Sequence, residues 1–283
     1  MNWIDPEVDV LVPDDVPLEN ALSRTTHLAI GAHPDDLEVF AYQGIAACYR
    51  QPELWFTGIT VTDGAGSVKG ARYADATDAE LIAIRKEEQR EAARIGQYGL
   101  QVQLGVPSKV IKNPAKAAGV GRDLQEILEL CRPRVVYLHN PLDRHPTHVA
   151  VFLQSLRALR KLDPAIRPSE CFGCEAWRDL DWLPERFRIS HDVSAYPNLA
   201  RTLIGLYDSQ ISSGKRYDLA LIGRREAHAT FSQSHAADEA SAVNLSLDLN
   251  PLLEDPDLDP KAFALSRIDT FRAEVESLYD ELT

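Results

Sequence analysis

Four cysteines in 283 residues are too few for a disulfide framework, and only Cys171 and Cys174 form a CxxC pair. A structural zinc site needs a second pair of Cys or His ligands at similar spacing. Cys48 and Cys131 stand alone, so the four are read as buried free thiols. No apolar run approaches the roughly 18 residues of a membrane helix, and the opening Met1-Asn2-Trp3-Ile4-Asp5 lacks the basic and apolar regions of a signal peptide. The cytoplasm is therefore the expected compartment. Positive charge is scarce as well: 43 acidic against 30 basic residues give a formal net charge of -13, which argues against the clustered positive field that nucleic-acid binding needs. Neither nucleic acid nor a membrane is an expected partner. There is no internal repeat and no low-complexity tract. A G-x-G-x-x-G loop after the first strand, the mark of a nucleotide-binding module, is also missing.

What is there suits a large α/β domain, because 45% hydrophobic content can fill a sizeable core at this length. The first 25 residues are acidic and carry Pro6, Pro13 and Pro17, which predicts an extended arm on the surface, ahead of a single domain over 26–283. Thr26 to Ala32 is an apolar strand, followed by a polar turn and a helical pattern over Leu37 to Arg50. The rhythm repeats: a strand in Leu54 to Thr62, a loop through Asp63-Gly64-Ala65-Gly66, a charged helix from about Asp75 to Gly96, and a strand in Leu100 to Leu104. A helix in Arg122 to Cys131, a strand in Arg134 to His139 and a helix beginning near Pro146 follow. Strands separated by helices imply parallel pairing with right-handed crossovers. Beyond Pro168 the order changes, with candidate strands at Glu170 to Trp177 and Phe187 to Asp192 and a helix at Leu199 to Ser212. An acidic loop around Asp248 to Pro260 and an amphipathic helix at Arg267 to Leu282 close the chain.

In a parallel α/β sheet, ligands bind beyond the carboxyl ends of the strands. Two loops in that position concentrate His and Asp: Ala32-His33-Pro34-Asp35-Asp36-Leu37-Glu38, and His139-Asn140-Pro141-Leu142-Asp143-Arg144-His145-Pro146-Thr147-His148. Both should open onto one cleft. A catalytic zinc takes three His or carboxylate ligands and leaves a position for water. His33 and Asp36, three apart on a tight turn, can reach one ion, His148 can supply the third ligand, and Asp35 can stand beside the water as base. The plainer reading is that Asp35 or Asp36 caps the following helix and the histidines are ordinary residues. That reading leaves the matched His-Pro segments of the two loops unexplained.

The segments AHPDDLE and DRHPTH, with Arg85-x-x-Glu88-x-x-x-Ala92-x-x-Ile95-Gly96, resemble the PIG-L/LmbE-like zinc-dependent N-deacetylases. His191-Asp192-Val193-Ser194 and Leu206-Tyr207-Asp208-Ser209-Gln210 resemble later segments of that family. The resemblance spans roughly 26 to 232. It implies an α/β fold with a Rossmann-like, mostly parallel sheet flanked by helices and a C-terminal extension of strands and helices. It also implies Zn2+, or another divalent first-row metal, on His33, Asp36 and His148, with Asp35 as general base and His145 assisting at the oxyanion or the leaving amine. The implied substrate is a small N-acylated molecule, an N-acetyl amino sugar or its conjugate. By the same resemblance Arg85 would bind substrate hydroxyls, although an i,i+3 ion pair with Glu88 is the alternative. His228 would contact substrate, against the alternative of a polar surface residue in a loop. Trp177 and Trp182 form either a sugar-stacking wall or core. His139 faces the same cleft, and His27 reads as structural. A homo-oligomer is compatible with the sequence and not indicated by it.

The chain departs from the family pattern in two places. Thr147 replaces the aspartate that usually orients His145, so either Asp143 takes over or His145 has a lower pKa and a changed role. Phe40, Tyr42 and Gln43 replace small residues after the Glu and are expected to reshape the pocket. The Thr147 departure motivates a rival of another class, a catalytically weakened zinc-binding relative that serves as a binding or structural module.

Overall fold

The computed structural model describes residues 8–66, 69–232 and 234–283. The opening segment and Pro6 lie outside the described residues. In chain order the elements begin with β1 (Asp9–Leu11), α1 (Leu18–Ser23), β2 (His27–Gly31), α2 (Asp36–Phe40), α3 (Tyr42–Cys48), β3 (Phe56–Thr62) and α4 (Asp78–Ile95). They continue with β4 (Leu100–Val106), α5 (Ser108–Ile111), α6 (Ala118–Cys131), β5 (Val135–His139), α7 (Pro146–Lys161) and β6 (Glu170–Cys174). The remainder comprises β7 (Arg188–Asp192), α8 (Pro197–Gly205), α9 (Asp208–Ile211), α10 (Tyr217–Thr230), β8 (Val243–Asp248), α11 (Asn250–Glu254) and α12 (Pro260–Leu282). No described helix is long and apolar enough to cross a membrane.

The strands form one sheet in the order β1-β4-β3-β2-β5-β6-β8-β7. Pairings from β4 through β6 are parallel, and those of β1, β8 and β7 are antiparallel. Every residue of β2, β3 and β5 is buried, as expected of central strands covered on both faces. One core layer holds Leu124 of α6, Phe152 of α7 and Leu252 of α11. The other holds Leu37 of α2, Ile45 of α3, Ala92 of α4 and Leu203 of α8. The expected α/β class, mostly parallel sheet and C-terminal extension are what the structure has.

Several local expectations are corrected. The acidic N-terminal stretch is not simply an extended arm, because β1 adds to the sheet edge against β4 and α1 packs under it, with Ala21 and Leu22 in the core. The strand β8 has no counterpart among the expected strands; it inserts between β6 and β7. Its Val243-Asn244-Leu245-Ser246-Leu247-Asp248 alternates apolar and polar residues as strands do, yet Asn244 and Ser246 on its polar face are buried rather than solvated. The long helix α4 starts later than expected because Thr77 and Glu80 close a capping box, each side chain bonding the other's backbone N–H.

The helix expected over Leu37 to Arg50 is two helices, and Arg225 is the reason. Its buried guanidinium donates to the carbonyls of Glu38 (2.8 Å) and Val39 (3.1 Å), and to Asn244 Oδ1 (2.9 Å). In an unbroken helix those two carbonyls would accept from Tyr42 and Gln43. With them occupied, the chain turns at Ala41 and restarts. Arg225 also lies over the Tyr42 ring, 4.7 Å from its centroid. Arg225→Ala is expected to destabilise the fold by about 3 kcal/mol, since two buried carbonyls lose their donor. Denaturant unfolding measures this, and a loss below about 1 kcal/mol would show that the helix break has another cause.

Candidate metal centre and active-site cleft

Strand β2 sends its connection to β3 on one side, while β5 lies on its other side, so the gap beyond their ends is the switch point of the sheet. The two histidine loops leave from these strands and meet there. The first turns sharply: Asp36 Oδ2 accepts from the His33 backbone N–H at 2.7 Å, and Asp35 takes a left-handed conformation at φ 95°. Such a conformation costs a non-glycine residue of order 1–3 kcal/mol. Neither aspartate caps α2: Asp35 occupies the N-cap position without a capping bond, and Asp36 turns back to His33.

Three potential ligand atoms face one another. His33 Nδ1 is 3.1 Å from Asp36 Oδ2 and 3.2 Å from His148 Nε2, and the last two are 3.4 Å apart. Atoms bound at about 2.0–2.1 Å to a tetrahedral zinc stand ~3.3 Å from one another, so this triangle has the edge lengths of a metal-ligand face. Burial lowers the His148 pKa to about 4, keeping the ring in the neutral form a metal requires. Burial works against the Asp36 carboxylate, but His148, His139 and His33 around it hold it well below the usual range. The donors present therefore fit a divalent cation.

Two further histidines flank the triangle. His139, fully buried, accepts from the Ala32 N–H at Nε2 (3.0 Å), lies 3.3 Å from Asp36 Oδ2 and stacks on His148. It forms a second close group with Asp36 and His148, as His145 does with His33 and His148. Asp143 orients His148 rather than the His145 ring: its Oδ2 lies 3.3 Å from His148 Nδ1, while its Oδ1 accepts only the backbone N–H of His145. Thr147 is buried and makes no hydrogen bond to the His145 ring, whose Nδ1 has no partner among the described residues. Burial, then His33, lowers the His145 pKa. Of the two outcomes posed by Thr147, the structure has the one without a carboxylate on His145.

A buried polar lattice holds the first loop. Glu38, 1% exposed, accepts from Tyr98 Oη (2.6 Å), Tyr207 Oη (2.7 Å) and Gln89 Nε2 (3.1 Å). Arg85 donates to the Gly64 carbonyl and approaches Ser209 Oγ (3.3 Å) and Gln210 Oε1 (3.4 Å). It is buried and lines the cleft, not the solvated face of α4, and Glu88 instead accepts from the Ser209 N–H and Oγ. Gln210 donates to the Pro34 carbonyl at 3.0 Å. The Tyr-Asp-Ser-Gln segment and the Arg-x-x-Glu pair are thus two halves of one clamp on the histidine loop. Gly64 has φ 72°, and a Cβ there would meet both Pro34 and Arg85 at about 3.1–3.3 Å, so this loop requires glycine.

The resulting cleft has a volume of about 540 Å3 and is lined by His33, Asp35, Asp36, His145, Arg85 and Trp177, among others. Burial, then Asp36 and Glu38, pushes the Asp35 carboxyl well above its ordinary range. Its carboxylate makes no hydrogen bond to the described residues and is free to meet a ligand. His228 is not in a loop and not on this wall. It lies on α10 and pairs with Glu175 at 3.0 Å. Trp182 packs on Phe271 of α12, outside the cleft. Phe40, Tyr42 and Gln43 also face inward: Phe40 against His139, Tyr42 to the carbonyls of Ala195 and Tyr196, and Gln43 to Asn244 and Cys174. All four cysteines are buried free thiols. Neither Glu38 nor Arg225 is among the site residues expected from the sequence. A charged residue on an otherwise apolar helix face was the available signal for Glu38; Arg225 offered none.

Fold and site together define a three-layer α/β protein with a candidate metal centre at its switch point. Residues 28–159, which contain both histidine loops, match the family model PIG-L, described as GlcNAc-PI de-N-acetylase. The resemblance read from the motifs is borne out. Three solved structures share the fold. N,N'-diacetylchitobiose deacetylase from Pyrococcus horikoshii is 17% identical, with 86% of this chain and 91% of that one covered and a TM-score of 0.64. GalB, the 4-carboxy-2-hydroxymuconate hydratase from Pseudomonas putida, is 15% identical over 80% and 95%, with a TM-score of 0.62. The conserved protein TT1542 from Thermus thermophilus is 21% identical over 82% and 98%, with a TM-score of 0.59. At these identities they establish the fold alone.

Proposed function

We propose that the protein is a zinc-dependent N-deacylase that removes an acetyl group from an N-acetyl amino sugar or a related small-molecule conjugate in the cytoplasm. The observation that carries this reading is the triangle of His33, Asp36 and His148 with the unpartnered Asp35 carboxylate beside it in the cleft. The PIG-L match and the named activity of the chitobiose deacetylase support the acyl-amide class. When bound, the cation supplies a Lewis acid for the amide carbonyl and makes water more acidic.

The chain's own groups do the rest. Asp35 takes a proton from water as the water oxygen bonds to the carbonyl carbon. His145 stabilises the oxyanion, and the proton that Asp35 took from water passes to the amide nitrogen, directly or by way of His145, as the C–N bond breaks; the products are an amine and a carboxylic acid that ionises to the carboxylate. Asp143 keeps the His148 imidazole turned towards the site. Arg85 presents its guanidinium to substrate hydroxyls from the cleft floor.

A second reading, a metal-binding relative with weak or no turnover, is favoured by the His145 ring having no carboxylate partner. One experiment separates the two. Zinc-loaded protein, incubated with a panel of N-acetylated sugars, should release acetate, and a chelator should abolish the release. Full zinc occupancy with no acetate from any of them favours the second reading.

A further inference from the structure

The charge of the cleft mouth runs against that of the chain. The protein carries a net charge of -13, yet Arg85, Lys112, Arg144, Lys215 and Arg224 all line this cleft, against two carboxylates, Asp35 and Asp36, at its metal end. Two of these cations are already engaged. Arg85 is held by Gly64, Ser209 and Gln210, and Arg224 donates to the Ala176 carbonyl (2.7 Å) and lies 3.8 Å from Asp179.

Lys112, Arg144 and Lys215 have no hydrogen-bonded or ionic partner among the described side chains. They come from three separate loops, after α5, between β5 and α7, and between α9 and α10. Two of them converge on one ring: the Arg144 guanidinium and the Lys215 ammonium lie 5.6 Å and 5.5 Å from the centroid of Trp177. The same indole stacks near His145, with centroids 6.0 Å apart, which ties the basic rim to the candidate catalytic end. Like charges gathered in a concave wall focus a positive potential into it, and without a counter-ion they repel one another.

We propose that this rim is an anion subsite: the substrate carries a carboxylate or phosphate that Lys112, Arg144 and Lys215 receive beside Trp177, while its acyl-amide lies at the metal end. The placement of the amide rests on the deacylase reading. The anion subsite itself rests on the cations.

The test compares three probes that share one N-acetyl amino-sugar ring: neutral N-acetylglucosamine, its 6-phosphate, and N-acetylmuramic acid with its carboxylate. Binding is measured by calorimetry to the zinc-loaded full chain carrying Asp35→Asn, so that turnover does not intrude. At least one anionic probe should bind about tenfold or more tightly than the neutral one, and raising the salt should shrink the gap. Which anion gains more tells carboxylate from phosphate. Lys112→Gln, Arg144→Gln and Lys215→Gln should each narrow the gap a few-fold, and together close it. Equal binding of the three probes, no binding by any of them, or a gap that survives the triple substitution would each overturn the subsite, the last because the anion would then be on the metal. Acetate release by the wild-type chain is read separately. Its absence alongside an intact, salt-dependent gap sinks the deacylase reading and leaves the anion subsite standing.

Discussion

Asp35→Asn is expected to retain zinc at the wild-type stoichiometry while acetate release falls about 10²–10⁴-fold, the usual contribution of a positioned base. Asparagine matches aspartate in shape and, with it, is among the few residues that tolerate a left-handed backbone, so the φ of 95° at this position is kept. The substitution therefore removes the basic oxygen without disturbing the turn that sets His33 and Asp36. Asp35→Ala is a poorer test because alanine adds backbone strain. Metal analysis and an acetate assay on the same preparation give both halves of the result, and turnover preserved in Asp35→Asn would take the base role away from this residue.

His33→Ala and His148→Ala are each expected to lose zinc. His148 is fully buried and contributes one corner of the triangle, with Asp143 on its other nitrogen. Asp143→Asn, which removes only the outer partner, should weaken metal binding about 10–100-fold, and the two ligand deletions should weaken it further. Equilibrium dialysis against a zinc buffer ranks the three variants. If both histidine variants hold zinc as the wild type does, the ligand assignment fails.

The frame of the site was legible because it depends on short stretches of chain. Strands 27–31 and 135–139 are near-continuous apolar runs, each followed at once by a loop dense in His and Asp, and α/β topology forces the two loops together at the switch point. What was not legible depends on partners far away in sequence. The break at Ala41 is made by Arg225, and the predicted helix over 199–212 splits because Tyr207 leaves the helical path where its hydroxyl reaches Glu38. The partner of Asp143 could not be told from spacing, since His145 and His148 are both close to it in the chain and only the fold shows which ring it meets. His228 misled because a histidine near a helix end carries the same local sequence whether it faces a cleft or a buried glutamate.

The clamp on the histidine loop also bears on the order in which the molecule is built. Every proposed ligand lies within residues 28–159, yet the bonds that fix their loop reach well beyond that segment: Gln210 to Pro34 across 176 residues, Tyr207 to Glu38 across 169, and Arg225 to Glu38 across 187. Contacts of such long range form late, because the intervening chain must first be ordered. A nascent chain that has emerged only as far as α7 holds all the proposed donors for a cation and none of these supports for its first loop. The supports of the first loop are therefore complete only once α9 and α10 have docked.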